Sequence, residues 1–440
     1  MPGISFNAVH DGRQFNAVQE GLATVLFPKS EPGNKDTVFY NPIQQFNRDL
    51  SVLAIKTFGD VFISEKRQKA NTSKRSVRRA NARLNAEPSD TALAQKPTSE
   101  HIAPEAPAQP DQAPSTTTEN APSNGELPAV KFAVLDALSA TGLRALRYTL
   151  EIPCITSATA NDLDASAVDA IKQNVAYNLE HGKTIDSSTL SAKDAISKIR
   201  VNLGNAQHHM YSVVCSSGTK SGKHIPKDEL VEISANPKYE VIDLDPYGTA
   251  VPFLDAAVQA VSDGGLLCVT CTDAGVWASI GYSEKCFSLY GGLPAKSEWA
   301  HEAGLRLILN AVATSAGKYG LSIEPLLSLS IDFYARVFVR IRRSPAEVKN
   351  LASTSMIVYN CDSGCGSWTT QSLGKAVETR NKSGNGTFIK YGLPKGPTVP
   401  DQCPECGFTM HASSVSDLWQ FMANRLLAFR SHVGWSAALG

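Results

Sequence analysis

Four apolar runs in the middle of the chain each stop at a polar residue and give way to a helix-like segment. Val130 to Leu135 closes on Asp136, and Cys154 to Ala160 closes on Asn161-Asp162. Ile199 to Leu203 leads to Gly204-Asn205-Ala206, and Tyr239 to Leu244 delivers Asp245. A fifth run, Leu266 to Thr272, follows a Gly264-Gly265 turn. Between them, Leu143 to Leu150 carries Arg144 and Arg147, and Ala167, Val168, Ile171 and Val175 recur on one helical face. Phe253 to Val261 forms a further helix. Strands alternating with helices at this rhythm predict an α/β fold with a doubly wound, largely parallel sheet. Ligands of such sheets bind beyond the carboxyl ends of the strands.

The flanking regions differ from this core. Residues 1–64 mix strand-like and helical stretches, with Glu20 to Pro28 as a strand and Asn41-Pro42 as a turn, because a residue before proline avoids helix. From Glu65 a basic run (Lys66 to Arg83) and then a Pro/Ala/Ser/Thr tract predict a disordered insertion over 65–128, for want of apolar residues to order it. The basic run suits either a solvated tract or a nuclear-targeting or RNA-touching arm. Residues 129–320 hold the alternating strands and helices, and 321–440 reads as a smaller α+β domain. Lysine plus arginine equals aspartate plus glutamate, 42 against 42, so any nucleic-acid footprint must be local. No apolar run approaches the roughly 18 residues of a membrane span, no signal-peptide pattern opens the chain, and nine cysteines in 440 residues suit a reducing compartment.

The first turn argues about the cofactor. It holds one glycine, Gly142, where a dinucleotide site has a Gly-x-Gly-x-x-Gly cradle, and it opens with Asp136. That carboxylate would repel a pyrophosphate. Asp162 lies 20 residues past Gly142, the usual distance for an acid bonding ribose hydroxyls. A ribose acid without a phosphate cradle favours S-adenosyl-L-methionine over NAD. Capping of the following helices is the alternative role for both acids.

Asp245-Pro246-Tyr247-Gly248 resembles the Asn/Asp-Pro-Pro-Tyr corner of methyltransferases that act on exocyclic amines. An ionised carboxylate only accepts hydrogen bonds, whereas an asparagine amide donates and accepts. Guanine presents two adjacent donors, N1–H and the 2-amino group, and adenine presents a donor beside an acceptor. Asp245 therefore matches guanine. Tyr247 is placed to stack on an extruded base, with Phe39 or Tyr40 on its other face. A strand-ending turn with a core aromatic is the plainer alternative.

Cys361-x-x-x-Cys365 and Cys403-x-x-Cys406, 37 residues apart, have the spacing of a structural zinc site. Cys268-x-x-Cys271 sits in a predicted strand and reads as core, and His208-His209 reads as a surface or loop pair. Arg336, Arg340 and Arg342 alternate with Val337, Val339 and Ile341 on one strand, with Phe338 on the arginine face. That face suits RNA phosphates or simple solvation.

With these residues in view, the chain resembles the tRNA (guanosine-26, N2)-dimethyltransferase family. The blocks that carry the likeness include Phe39-Tyr40-Asn41-Pro42, Asn47-Arg48-Asp49, Ser139 to Arg144, Asn161-Asp162, Asp245 to Gly248, Lys285 to Gly292 and Ser330 to Tyr334. The resemblance implies a Rossmann-like methyltransferase domain followed by a smaller tRNA-binding domain, and no obligate protein partner. It implies that Arg48, Arg144 and Asp162 contact S-adenosyl-L-methionine, with Asn205-Ala206 near its adenine, and that Phe39, Asp245, Pro246 and Tyr247 form the guanine pocket. It further implies two successive methylations of tRNA, in the nucleus and in mitochondria. One departure stands out. After Cys406 the family continues with a Gly-Pro…Trp…Gly-Pro block, whereas Gly407 to Gly440 reads as an apolar, helix-like tail.

Overall fold

The computed structural model describes residues 3–29, 40–84, 130–183, 191–218, 237–363, 365–396, 399–416 and 427–430. The chain divides into a main unit, Met1–Phe62 with Lys131–Gly440, and a second unit, Ile63–Val130. The main unit opens with an antiparallel meander of β1 (Ile4–His10), β2 (Arg13–Glu20) and β3 (Ala23–Pro28). A 3₁₀ turn at Pro42–Gln44 follows, capped by Asn41, whose side chain accepts from the Ile43 N–H. It leads into α1 (Gln45–Leu84).

That helix corrects the disorder expected from residue 65 onward. The basic run predicted to open a disordered insertion is helical as far as Leu84. No glycine or proline occurs between Asp60 and Glu87, and Lys, Arg, Gln and Ala are good helix formers. A shortage of apolar residues marks a helix without a core to cover, and does not by itself break it. Residues 85–128 of the predicted insertion lie outside the described residues.

The central sheet grows from β4 (Ala133–Asp136), α2 (Leu143–Glu151), β5 (Ser157–Asp162), α3 (Ala165–His181), α4 (Ala192–Ile196), β6 (Ile199–Leu203), α5 (Ala206–Gly218), β7 (Tyr239–Leu244), α6 (Val251–Ala260) and β8 (Val261–Cys271). After α7 (Ala274–Trp277), α8 (Ser283–Tyr290) and α9 (Ala300–Gly317), the predicted strand region near Ser328 to Arg343 resolves into two strands, β9 (Leu321–Ile331) and β10 (Tyr334–Arg343). The strand order is β6-β5-β4-β7-β8-β10-β9. Strands β4 to β8 run parallel, and β10 is antiparallel to both β8 and β9. Leu135, Ile242, Leu244, Leu267, Val269, Val337 and Val339 fill the core against Trp277, Leu305 and Ile308. Strands covered on both faces need such near-continuous apolar runs.

The meander is tied to this sheet through α3. β3 is an edge strand, and its Thr24 and Leu26 N–H groups donate to Asn178 Oδ1 (2.9 Å) and Asn174 Oδ1 (2.8 Å). Two buried asparagines thus satisfy donors that a further strand would otherwise take.

The remainder comprises α10 (Pro345–Val348), β11 (Ser355–Cys361), β12 (Trp368–Ser372), β13 (Lys375–Arg380), β14 (Thr387–Gly392), β15 (Met410–Ser416) and β16 (Leu427–Arg430). β12-β11-β15 form one antiparallel sheet, β13 and β14 a separate hairpin, and β16 adds to the main sheet parallel to β9. Two expectations change here. β9 and β10, assigned to a smaller domain starting at 321, complete the main sheet, because β10 pairs with β8 as well as with β9. The tail expected as helical supplies the strands β15 and β16, while residues 417–426 and 431–440 lie outside the described residues.

Candidate active site

β5 and β7 flank β4 on opposite sides, so the sheet's switch point falls at the carboxyl ends of β4 and β7. A cavity of ≈ 490 Å³ opens there. The β4–α2 turn contributes Leu138 to Thr141, β5 contributes Asp162, and the corner after β7 contributes Asp245, Pro246 and Tyr247. Arg48 from α1 and Arg144 from α2 complete the charged wall. Gly142, at φ 76°, turns the chain from the β4 loop into α2, in a conformation that costs other residues strain.

The Asp-Pro-Tyr-Gly corner is pinned to the end of β8. The Gly248 N–H donates to Thr272 Oγ1 (2.8 Å), and the Thr272 N–H donates to the Gly248 carbonyl (2.8 Å). Gly248 holds φ 80°, which again selects glycine. Tyr247 is 83% exposed and Phe333 69% exposed, so two largely exposed rings border the cavity. Tyr40 adds a third ring, anchored where its hydroxyl donates to Glu20 Oε2 (3.1 Å).

Beneath the cavity lies a buried charge network. Arg144 pairs with Asp245 and, at 3.4 Å, with Asp243. Asp243 also accepts from Arg336 Nη1 (2.7 Å) and from the Tyr148 hydroxyl. Burial pushes the Asp243 carboxyl up, but Arg336 and Arg144 outweigh it and hold the group below the usual carboxylate range. Asp136, without an arginine in contact, goes the other way. Burial and then the Asp243 charge push it up to about 7, although Ser139 donates to it at 2.6 Å. The Tyr334 hydroxyl, buried near this network, makes no hydrogen bond.

A second knot fixes Arg48. Glu20, at the end of β2, accepts from Arg48 Nε (2.7 Å) and Nη2 (2.5 Å) and from Arg147 Nη1 (2.8 Å). Arg147 also donates to Asp49 (2.6 Å) and Glu151 (2.8 Å). The meander, α1 and α2 are thereby locked around one buried carboxylate. Arg48 lies over the Tyr40 ring, 5.2 Å from its centroid.

Arg48, Arg144, Asp162, Asp245, Pro246 and Tyr247 therefore meet at one cavity, as their motifs suggested. Asp162 accepts there from the Ala140 N–H (2.8 Å) and the Asp164 N–H (3.0 Å). Asp136 lies below the wall, 2% exposed. Asn205 is exposed and bonded to the His208 N–H (3.0 Å), Ala206 is buried, and neither lines the cavity. Phe39 lies outside the described residues.

The arginine strand is a correction. Arg336 is fully buried against Asp243, and Arg340 is 7% exposed, donating to the Gly264 carbonyl (2.9 Å) and stacking over Phe58. The face of β10 that carries Arg336 and Arg340 meets Ser51 and Phe58 of α1. Of these three, Arg342 reaches solvent, and it pairs with Glu324 (3.0 Å). Sequence reasoning passed over Glu20, Asp243 and Phe333. Asp243-Leu244-Asp245 did carry a signal, since strand residues two apart share a face.

The four late cysteines converge, with their sulfurs all within 4.8 Å of one another. Cys361 and Cys406 are 3.4 Å apart, Cys365 and Cys403 3.7 Å. Four ligands of a tetrahedral zinc, each about 2.3 Å from the ion, would stand about 3.8 Å apart. The cluster fits such an ion. Cys268 and Cys271 are buried in β8 as core residues. His208 and His209 lie on α5, where His209 bonds the Tyr239 hydroxyl (2.8 Å).

The family described as N2,N2-dimethylguanosine tRNA methyltransferase matches residues 21–214 and 224–419. The chain belongs to this family. It is 42% identical over 398 residues to the mitochondrial tRNA (guanine(26)-N(2))-dimethyltransferase of Saccharomyces cerevisiae, covering 90% of this chain and 59% of that protein. The tRNA (guanine(26)-N(2))-dimethyltransferase of Schizosaccharomyces pombe is 41% identical over 403 residues, covering 92% and 62%. The human protein of that name is 35% identical over 395 residues, covering 90% and 51%. This family member thus spans between about half and three-fifths of the length of those relatives. Trm1 from Pyrococcus horikoshii, solved as a complex with S-adenosyl-L-methionine, shares the fold at a TM-score of 0.52 and 23% identity, covering 88% of this chain and 74% of that one. Among the described residues no helix is long and apolar enough to cross a membrane.

Proposed function

We propose that the chain methylates the 2-amino group of guanine-26 in tRNA with S-adenosyl-L-methionine, giving N2-methyl- and then N2,N2-dimethylguanosine. The observation that carries this reading is Asp245, an acceptor-only side chain at the wall of the switch-point cavity, with exposed rings beside it. The family match and the names of the relatives above support the same reaction.

The cavity's donor set suits the methyl donor. Asp162 retains lone pairs for ribose hydroxyls beyond the two N–H groups it already accepts from. Arg48 and Arg144 offer cations to the amino-acid carboxylate, and the turn lacks a phosphate cradle. When bound, S-adenosyl-L-methionine supplies an electrophilic methyl group on a positively charged sulfur. Asp245 accepts from guanine N1–H and one amino hydrogen, which fixes the base in plane and raises electron density on the amino nitrogen. Tyr247, with Tyr40 or Phe333 opposite, holds the flipped base by stacking. Orientation of the nitrogen supplies much of the rate. Asp245, which holds that amino hydrogen, takes up the surplus proton of the methylated nitrogen and releases it to solvent.

The four cysteines hold a structural zinc ion in this reading, joining the β11 end to the segment before β15. The reading carries with it action on tRNA in the nucleus and in mitochondria, the latter in keeping with the name of the Saccharomyces relative.

Nucleoside mass spectrometry of tRNA incubated with the protein and methyl donor tests the function. N2-methyl- and N2,N2-dimethylguanosine at position 26 are expected. Methyl incorporation into DNA adenine or protein instead, or none into tRNA, would overturn it.

A further inference from the structure

The hairpin of β13 and β14 stands apart from the other sheets. Every residue of β14 is exposed, and all of β13 except Thr379. Val377, Phe388, Ile389 and Tyr391 are between 38% and 49% exposed, although a two-stranded hairpin with no covered face is marginal in water. Its base is nonetheless fixed. The Tyr391 hydroxyl donates to Asn350 Oδ1 (3.1 Å), and the Leu373 N–H donates to the Ser355 carbonyl (2.8 Å). The chain enters and leaves this excursion between Cys365 and Cys403, whose sulfurs meet in the cysteine cluster.

Its charge is unlike that of the whole chain. Residues 375–396 hold Lys375, Arg380, Lys382, Lys390 and Lys395 against a single acid, Glu378, in a sequence whose net charge is zero. The register sets Val377 opposite Lys390 and Thr379 opposite Phe388. Cross-strand partners share a face, and so do residues two apart. Lys375, Lys390 and Phe388 therefore lie on one exposed face, two cations beside a free ring.

We propose that this face grips the tRNA whose guanine enters the cavity, with Lys375 and Lys390 on phosphates and Phe388 against an unstacked base or sugar. The inference rests on the functional reading above. The chemistry is that of polyanion binding. Lysines release counterions from phosphates, exposed rings stack on bases without regard to sequence, and lysine is depleted from the cores of protein–protein interfaces. It also supplies the RNA-facing cations that burial of Arg336 and Arg340 removes from β10.

The test is the affinity of the full chain for tRNA over a range of salt concentrations. Lys375→Gln with Lys390→Gln should bind more weakly, with a log–log salt slope shallower by roughly 0.7–0.9 for each lysine. Phe388→Ala should weaken binding roughly tenfold and leave the slope unchanged. Lys172→Gln on α3 is the control and should change neither. All variants should keep wild-type calorimetric affinity for S-adenosyl-L-methionine, which reports a folded cavity. Wild-type tRNA binding that the hairpin variants retain would overturn the hairpin assignment alone. Loss of binding to phosphatidylserine vesicles with tRNA affinity intact would do the same and assign the face to lipid. Failure of the wild-type chain to bind tRNA at all would overturn the functional reading, and this inference with it.

Discussion

Arg336 Nη1 donates to Asp243 at 2.7 Å, and neither side chain is exposed to solvent. The same guanidinium donates to Ser51 (2.8 Å) and Thr270 (2.8 Å), so α1, β7, β8 and β10 meet at one ion pair. On its other oxygen Asp243 faces Arg144, which reaches the cavity wall. Removing one partner of a buried pair strands the other charge, at a cost of about 3–5 kcal/mol. Arg336→Met is therefore expected to lower the unfolding free energy by about that amount in denaturant titration. A loss below about 1 kcal/mol, in the range of an exposed ion pair, would show that Arg336 is not an anchor for Asp243.

Asp245→Asn tests the acceptor argument directly. The amide replaces one acceptor by a donor pointing at a guanine donor. We expect kcat/KM for tRNA to fall by about 10²–10³ or more, in line with loss of a single well-placed polar group in a site. Affinity for S-adenosyl-L-methionine, measured by calorimetry, should survive, because Arg48 and Asp162 are untouched. Wild-type turnover by this variant would remove Asp245 from the base pocket.

The sheet was legible because each of its parallel strands is an apolar run that stops at a polar residue, a pattern long enough to exceed local ambiguity. Asp162 and Asp245 were legible for the same reason, being the stopping residues. Arg336 and Arg340 were misread because alternation of charge and apolar side chains usually marks a half-solvated strand. Here β9 covers the edge, and Asp243 and the Phe58 ring neutralise or cover the buried cations. Nothing local to Glu20 signals its role either. Its partners Arg48 and Arg147 lie 28 and 127 residues away, and only the fold brings them together. The length of α1 was missed because composition reports whether a segment has a core to join, while helix formation also depends on the absence of breakers.

Asp136 gives a pH signature. Its folded carboxyl is pushed up to about 7 from an ordinary value of 3.8, first by burial and then by Asp243. Between those values the folded chain holds the proton that the unfolded chain has lost. Stability from this group is thus greatest at low pH and declines as pH rises through about 7. Asp136→Asn mimics the protonated form throughout. Its unfolding free energy should match wild type near about pH 4 and exceed it near about pH 8, by up to about 4 kcal/mol. A constant difference across that range would show that Asp136 does not titrate there.

The cysteine cluster makes the last prediction. Elemental analysis of the purified chain should find about one zinc per molecule, and Cys403→Ser should lose it, since three thiolates and a hydroxyl hold the ion far more weakly. The structural consequence should be local. Cys361 ends β11, Cys403 and Cys406 precede β15, and the two strands pair from Ser355↔Ser416 to Cys361↔Met410. Hydrogen exchange in the variant should therefore accelerate across β11 and β15 and in the hairpin between the cysteine pairs, while β4, β7 and β8 keep their protection. If the hairpin grips tRNA, the same variant should lose tRNA affinity and retain S-adenosyl-L-methionine binding. Uniform loss of protection through the central sheet would instead make the cluster part of the global fold.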